Sequence, residues 1–324
     1  MQSNTQDFDW SSQQIIVTGG SGFLGTRVVE NLQQRGAGNI VVPRSAHYDL
    51  REKEAVIQLY QDNPDTTLVV HLAANVGGIG YNRSYPGTLF FDNLMMGVLL
   101  LEHARLANIP KFVGVGTVCS YPKYPAIPFK EEDIWEGYPE ETNAPYGLAK
   151  KMLLVQGQAY HQEFGYNAVH LVPTNLFGPE DNFDPASSHV LAALVRRFTE
   201  AKMSNAPTVT LWGDGTPTRE YLYVADAANA IVLAAAYYNN PEPMNIAGGT
   251  EISIRDLAAM IATMIGYTGD IHWDTSKPNG QPRRKVDSSK AEKELGFVAR
   301  TKFEDGLRET ITWYERNYDR TALQ

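Results

Sequence analysis

Tyr146 and Lys150 stand four residues apart in the stretch Asn143-Ala144-Pro145-Tyr146-Gly147-Leu148-Ala149-Lys150-Lys151, and residues so spaced on a helix share a face. Asn143 and Pro145 fit a cap and a first-turn proline. A free phenol ionises near pH ~10. A lysine charge about 4 Å away is worth up to roughly 4 kcal/mol at an effective dielectric near 20, so the expectation is a phenol drawn toward neutrality. Such a phenol gives a proton to a carbonyl oxygen while hydride reaches the carbon, or takes it back in reverse. Alone, Tyr-x-x-x-Lys more often marks an exposed helical pair. A second hydroxyl strengthens it: residues 111–118 read as a strand that delivers Thr117 just upstream, where it would orient the carbonyl. A β-branched strand residue without a chemical role is the plainer reading of Thr117.

A proton donor of this kind needs a hydride carrier beside it. Residues 15–17 form a short apolar run that leads into Thr18-Gly19-Gly20-Ser21-Gly22-Phe23-Leu24-Gly25 and then a helical pattern over 26–35. In such a strand, turn and helix, Gly19 permits the tight turn and Gly22 the approach of a pyrophosphate. Gly25 lets helix and strand pack closely, with the phosphates at the helix N-terminus. Gly19, Gly22, Phe23, Leu24 and Gly25 are therefore candidate dinucleotide contacts. The second strand, residues 39–43, ends without the acid that would hold the ribose of NAD. It runs into Pro43-Arg44-Ser45, and Arg44 suits a 2′-phosphate, so NADP is favoured over NAD. Leu72, Ala73 and Ala74 at the end of a third strand (68–72), and Pro173, Asn175 and Leu176 at the end of a fifth (168–173), complete the candidate cofactor set.

Five strands alternating with helices imply an α/β fold: a doubly wound parallel sheet of the Rossmann type. Ligands in such sheets sit outside the carboxyl ends of the strands, where the glycine-rich loop 73–82 falls. Helix 86–107 is expected to bury Leu94, Val98, Leu101 and Ala104. From about residue 180 the pattern loosens. Residues 1–179 are assigned mainly to the dinucleotide domain and 180–324 mainly to a smaller C-terminal α/β lobe that binds substrate, with segments within 168–177 and from 245 onward returning to the main sheet. Helices are expected at 188–202, 225–238, 254–265 and 304–317. Basic residues gather in this lobe: Arg196, Arg197, Arg219, Lys277, Arg283, Arg284 and Lys285, beside Trp212. They suit a diphosphate pocket with an aromatic wall, against the plainer reading of solvated surface charge.

With 324 residues, 43 % of them hydrophobic, the chain can bury a large core. Its net charge of −9 gives no general attraction to nucleic acid or to an anionic membrane, so anion binding requires a local basic pocket. The single cysteine, Cys119, rules out an internal disulfide and fits a reducing compartment, with cytoplasm as the expected location. Residues 1–12 are polar and acidic and lack the pattern of a signal peptide, and no apolar run approaches a membrane span. Nothing in the pattern calls for a metal.

Longer strings carry a family resemblance. TGGSGFLG, His71-Leu72-Ala73-Ala74 and the Tyr146/Lys150 pair resemble the extended short-chain dehydrogenase/reductase superfamily. NVGGIGYN (75–82), NLMM (93–96), CSYP (119–122), PTNLFGPEDNF (173–183), SSHV (187–190) and SKPNGQPRR (276–284) resemble the GDP-L-fucose synthase family within it, over almost the whole chain. The resemblance implies an NADP-dependent enzyme, commonly a homodimer, that epimerises C3 and C5 of GDP-4-keto-6-deoxy-D-mannose and reduces its C4 ketone. It implies Cys119 as the base, His189 as the acid and Tyr146 as the group that steadies and protonates the oxygen. It places Asn175 and Leu176 near the nicotinamide or sugar, and Val190, Arg197, Trp212, Arg219 and a basic residue within 277–284, taken as Arg284, around the GDP. Thr117-Val118, where two serines often stand, and the acidic insert at 131–141 depart from the family pattern. Two other enzymatic readings stay open: a GDP-mannose-type 3,5-epimerase, which typically has lysine at the position of His189, and an epimerase or reductase of another nucleotide-linked 4-keto sugar. A non-catalytic dinucleotide sensor would usually have lost the Tyr/Lys pair.

Overall fold

The computed structural model describes residues 8–277 and 279–321. Residues 1–7 of the polar amino-terminal stretch, and Pro278 in the 276–284 string, lie outside the described residues. β1 (Gln14–Thr18) leads through the glycine turn into α1 (Phe23–Gln34), followed by β2 (Asn39–Val41), α2 (Lys53–Asp62) and β3 (Leu68–His71). A short α3 (Ile79–Ser84) precedes α4 (Pro86–Leu106), β4 (Lys111–Val115), α5 (Ala144–Phe164) and β5 (Asn167–Pro173). Then come β6 (Asn175–Phe177), α6 (Val190–Met203), β7 (Thr208–Trp212), β8 (Thr218–Tyr223), α7 (Val224–Tyr237) and β9 (Met244–Ile246). The chain closes with β10 (Thr250–Ser253), α8 (Ile254–Ile265), β11 (Asp270–Asp274), β12 (Arg283–Arg284), α9 (Ser289–Leu295) and α10 (Phe303–Thr321).

The main sheet is parallel throughout, in the order β2-β1-β3-β4-β5-β9. Side chains alternate between faces along each strand. Ile15, Val17, Val70, Val113 and Leu171 pack on one face with Val28 and Leu32 of α1 and Ile231 of α7. Ile16, Val69 and Phe112 pack on the other with Val56 and Leu59 of α2 and Leu100 and Leu101 of α4. Covering both faces explains why the strands read as unbroken apolar runs, and each fully buried Ile, Val or Leu contributes about 1.5–3 kcal/mol. Strand order reverses on either side of β1, which opens the crevice between β1 and β3 where dinucleotides lie in such folds. A second sheet of β10-β8-β12, with β6 also on β8, and a parallel β7/β11 pair build the second lobe. Phe177, Leu191, Phe198, Leu257, Ile261 and Phe303 form its core.

Several sequence expectations are corrected. The expected return of the chain near 245 to the main sheet is β9, which joins β5 as a sixth strand beside the five read from the alternating pattern. β6 instead pairs with β8, so Asn175 and Leu176 leave the main sheet directly after Pro173. The helix at α2 carries no strong stop signal and was not expected. β2 ends at Val41, before Pro43, which has no N–H for the ladder. β4 ends at Val115 rather than 118: a Cβ at Gly116 would lie 2.2 Å from His170 Nε2, and Thr117 then leaves the ladder to cap a 3-10 turn at Val118–Ser120. On α4 the buried stripe is Leu89, Asn93, Gly97, Leu100, Leu101 and Ala104. Leu94 and Val98 are only half-buried, because Gly97 is where α4 approaches Leu153 of α5.

Candidate active site

The glycine turn is built for close approach. Gly19 has φ +70°, and a Cβ on it would meet the backbone nitrogen of Ala73 at 2.7 Å; one on Gly25 would meet the Gly19 carbonyl oxygen at 2.0 Å. Both positions therefore require glycine. Gly22 is the N-cap of α1 with no side-chain cap, and the first turn, opened by Phe23 and Leu24, holds no acid. Its free N–H groups and the helix dipole suit a pyrophosphate. Leu72 N donates to Thr18 O at 3.1 Å, which sets Leu72, Ala73 and Ala74 beside the turn. Arg44 is exposed past the end of β2, and its guanidinium has no partner among the described residues. These residues fit a dinucleotide: the turn would hold its pyrophosphate and Arg44 a 2′-phosphate.

At the carboxyl end of β4, Thr117 Oγ1 accepts from Cys119 N at 3.2 Å, and Ser120 Oγ donates to Gly147 O at 2.8 Å. A Cβ on Gly147 would lie 2.2 Å from the Cys119 carbonyl oxygen, so the segment carrying Cys119 rests directly on the first turns of α5. Tyr146 lies there half-buried, hydrogen-bonded to Thr117. Lys150, one turn on, is 3 % exposed, and its ammonium makes no hydrogen bond among the described residues. Two expectations change. Asn143 holds the N-cap position, but its side chain bonds Glu140 and accepts from Asn82 Nδ2 instead of capping. The Tyr146 phenol is not drawn toward neutrality in the protein alone: burial first, then the neighbouring Cys119, push it up, and the bond to Thr117 offsets part of that. Burial pulls Lys150 down to about 8. Desolvation outweighs the attraction that spacing alone suggested.

Two histidines lie beneath this group. His71 and Thr18 Oγ1 are 2.8 Å apart in a buried hydrogen bond. His170 is 4 % exposed, and neither ring nitrogen is bonded among the described residues. Burial and the charge of Lys150 hold His71 well below the usual histidine range and His170 at about 3. From sequence His71 stands only as the first residue of a family string and His170 as a strand residue, and nothing in the periodicity shows what lies below Lys150.

The opposite wall is basic. Arg219 on β8 and Arg284 on β12 are register partners on adjacent strands, 8 % and 7 % exposed, and neither has a carboxylate partner among the described residues. Arg219 Nη1 donates to Thr218 O at 2.7 Å. Burial and Arg284 pull its pKa down to about 10. Half-buried Arg197 on α6 donates to Thr210 O at 3.0 Å. Trp212, 47 % exposed, stands at the end of β7 with Lys277 Nζ 5.8 Å from its ring centroid. Two other expected cations are engaged elsewhere: Arg196 pairs with Glu200 at 3.0 Å and Arg283 with Glu251 at 2.6 Å. His189 is the N-cap residue of α6, followed by exposed Val190. His189 is exposed, yet the protein packed against its ring and the nearby Arg284 charge hold its pKa below the ordinary value. Gly78 N donates to Ser187 O at 2.9 Å, so the 75–82 loop braces the segment leading into His189. Asn175 Nδ2 donates to Glu220 O at 2.8 Å, and Leu176 packs against the main core. The acidic insert is an internal brace: Glu131 Oε1 accepts from Asn245 N at 3.0 Å, and Asp133 and Glu140 are buried.

The described residues hold no helix long and apolar enough to cross a membrane, and no cluster of metal-ligating side chains. Comparison with known proteins places the arrangement. GDP-L-fucose synthase 1 of Arabidopsis thaliana is 38 % identical over 306 residues, 94 % of each chain. The structure of an NADP-bound GDP-L-fucose synthetase from Naegleria fowleri superposes with a TM-score of 0.84 at 29 % identity, over 95 % of each chain. A GDP-6-OMe-4-keto-L-xylo-heptose reductase from C. jejuni superposes at 0.87 with 27 % identity, over 94 % of this chain and 99 % of that one. The family model described as the NAD dependent epimerase/dehydratase family matches residues 15–247, and the chain belongs to that family.

Proposed function

We propose that this chain is an NADP-dependent 3,5-epimerase and 4-reductase of a GDP-linked 4-keto-6-deoxy-hexose, acting as a GDP-L-fucose synthase. One observation carries the reading: the segment bearing Cys119 rests on the first turns of the helix that bears Tyr146 and Lys150. A thiol in that place has no part in simple ketone reduction. A C4 ketone acidifies the protons on C3 and C5; Cys119 removes each, and His189, from the other side of the cleft, returns one to the opposite face. Tyr146, oriented by Thr117, steadies the C4 oxygen during exchange and donates its proton to it in the reduction. NADPH, when bound, supplies the hydride for C4. Gly19, Gly22 and Gly25 with Phe23 and Leu24 hold its pyrophosphate, Arg44 reads its 2′-phosphate, and Leu72, Ala73, Ala74, Pro173, Asn175, Leu176 and Lys150 line its nicotinamide half. Arg219 and Arg284, two buried cations without a carboxylate, take the diphosphate of GDP, with Arg197, Val190 and Trp212 around the nucleoside. The Arabidopsis and Naegleria relatives support the substrate and the cofactor.

The exposed apolar side chains Phe90 and Phe91 on α4 and Val155 on α5 support a homodimer through this helix pair. A thiol base is kept reduced by a cytoplasmic setting. Incubation with NADPH and GDP-4-keto-6-deoxymannose, with the product sugar identified by NMR, tests the function. GDP-L-fucose is the expected product. A second reading, a 4-ketoreductase of another GDP-linked 4-keto sugar, is favoured by the likeness to the C. jejuni reductase; it yields a reduced sugar with C3 and C5 uninverted.

A further inference from the structure

Gln281 is 2 % exposed, and both ends of its amide are engaged. Its Oε1 accepts from Arg284 Nε at 2.7 Å, while Nε2 donates to the carbonyl oxygens of Pro122 and Lys123 at 3.1 and 3.0 Å. A flipped amide would set its nitrogen against the Arg284 N–H and its oxygen against two carbonyls, so the network fixes its orientation. Pro122 and Lys123 directly follow Cys119-Ser120-Tyr121. That segment is held from below by Ser120 on Gly147 O, at 2.8 Å, and by Tyr121 OH donating to Asn245 Oδ1 at 2.7 Å. Gln281 holds it from the side. The strand segment around Gln281 is itself stitched down: Asn279 Oδ1 accepts from Asp214 N at 3.0 Å, and Phe129 N donates to Lys285 O at 2.8 Å. Arg283 beside it is fixed by a carboxylate, whereas Arg284 is oriented by the Gln281 amide.

We propose that Gln281 is a positioning residue. It aims the Arg284 guanidinium and ties it to the chain that follows Cys119, so that diphosphate capture and the placement of the thiol are set together. A glutamine suits this task where a carboxylate does not. It orients the guanidinium without neutralising it, which leaves the full charge for an anionic ligand. The inference rests on the reading of Arg284 as a diphosphate contact and Cys119 as the base.

The test uses the full chain with GDP as the probe, measured by calorimetry, together with deuterium uptake at C3 and C5 of the GDP-4-keto-6-deoxy sugar in heavy water. Gln281→Leu removes all three hydrogen bonds at similar length. It is expected to weaken GDP roughly tenfold or more and to slow C3/C5 exchange at saturating sugar, while NADPH affinity stays at the parent value. The double variant Gln281→Leu/Arg284→Gln should bind GDP no worse than Arg284→Gln alone, since Gln281 acts on the nucleotide through Arg284. Gln281→Asn, too short to bridge both partners, serves the same comparison should the leucine variant not fold. Parent-like GDP affinity and exchange in the single variant, or additive losses in the double, overturn the proposal. A parent protein that neither binds GDP nor exchanges those protons overturns the functional reading and this inference with it.

Discussion

On the floor of the cleft the titratable groups stand among apolar atoms with few hydrogen bonds. Lys150 and His170 have no hydrogen-bond partner among the described residues, and Tyr146 has only Thr117. On the basic wall the cations are wired: buried Arg219 to Thr218 O, buried Arg284 to Gln281, and half-buried Arg197 to Thr210 O. The floor sets protonation by desolvation, which acts on every group in reach. The wall sets direction by hydrogen bonds and leaves net positive charge, with Arg219 and Arg284 adjacent on paired strands. On the floor, desolvation brings Lys150 near its titration point, at about 8, and moves the Tyr146 phenol and both histidines away from theirs. A site that captures a dianion needs aimed donors that never titrate.

The largest effect that separates the two belongs to the floor. Tyr146→Phe is expected to slow ketone reduction by about 10²–10⁴-fold with NADPH and GDP affinities unchanged, because it removes only the donated proton. Reduction within tenfold of the parent would place the proton donor elsewhere. On the wall the expected signature is opposite. Arg219→Gln should weaken GDP by roughly 1.5–3 kcal/mol, the worth of a charge-assisted bond, and leave the ligand-free protein as stable or more so, since it relieves repulsion from Arg284. Calorimetry and thermal unfolding on one preparation check both halves. A loss of stability with unchanged GDP affinity would make Arg219 a structural residue.

The two regions also differ in how far the sequence discloses them. Tyr146 and Lys150 lie on one helix, and Gly19, Gly22 and Gly25 in one turn, so a short-range rule is enough to find them. Their electrostatics do not follow from spacing. Lys150 was expected to lower the Tyr146 phenol, and burial reversed the sign, because burial depends on what the strands bring in from elsewhere. The wall joins β8 to β12 through a register that no local pattern encodes. The basic residues of the lobe were legible as a group, but not that Arg196 and Arg283 are spent on Glu200 and Glu251 while Arg219 and Arg284 are left without a carboxylate. Gln281 stands inside the 276–284 string and carries no chemistry of its own, so only its three bonds reveal it.

A smaller effect tests the cofactor end, where Arg44 is neither buried nor wired. Arg44→Ala should weaken NADPH about tenfold, the lower end for a charge-assisted contact at an exposed position, and leave NADH unchanged, since only NADPH carries the 2′-phosphate. Equal losses for both, in a titration of nicotinamide fluorescence, would remove Arg44 from the site.

The smallest expected effect tests the floor against itself through pH. His170 is held at about 3 by burial and by the charge of Lys150, against ~6.5 for an unfolded histidine. A folded-state value below the unfolded one means that the unfolded chain takes up the proton first. Stability is therefore lost as pH falls through the unfolded value, and the loss continues until the folded-state value is reached. Between pH ~7.5 and ~6 this one group should cost just under about 1 kcal/mol. His71, also held well below the ordinary range, adds a loss of the same sign. His170→Leu removes a ring whose nitrogens have no partner and keeps the volume close, so the variant should be at least as stable near neutrality. It should lose less stability on acidification than the parent, with the His71 share remaining. Urea unfolding of both proteins at the two pH values measures the difference. Parallel losses would mean that His170 already shares a proton in the folded protein, and the floor would then be wetter than its packing shows.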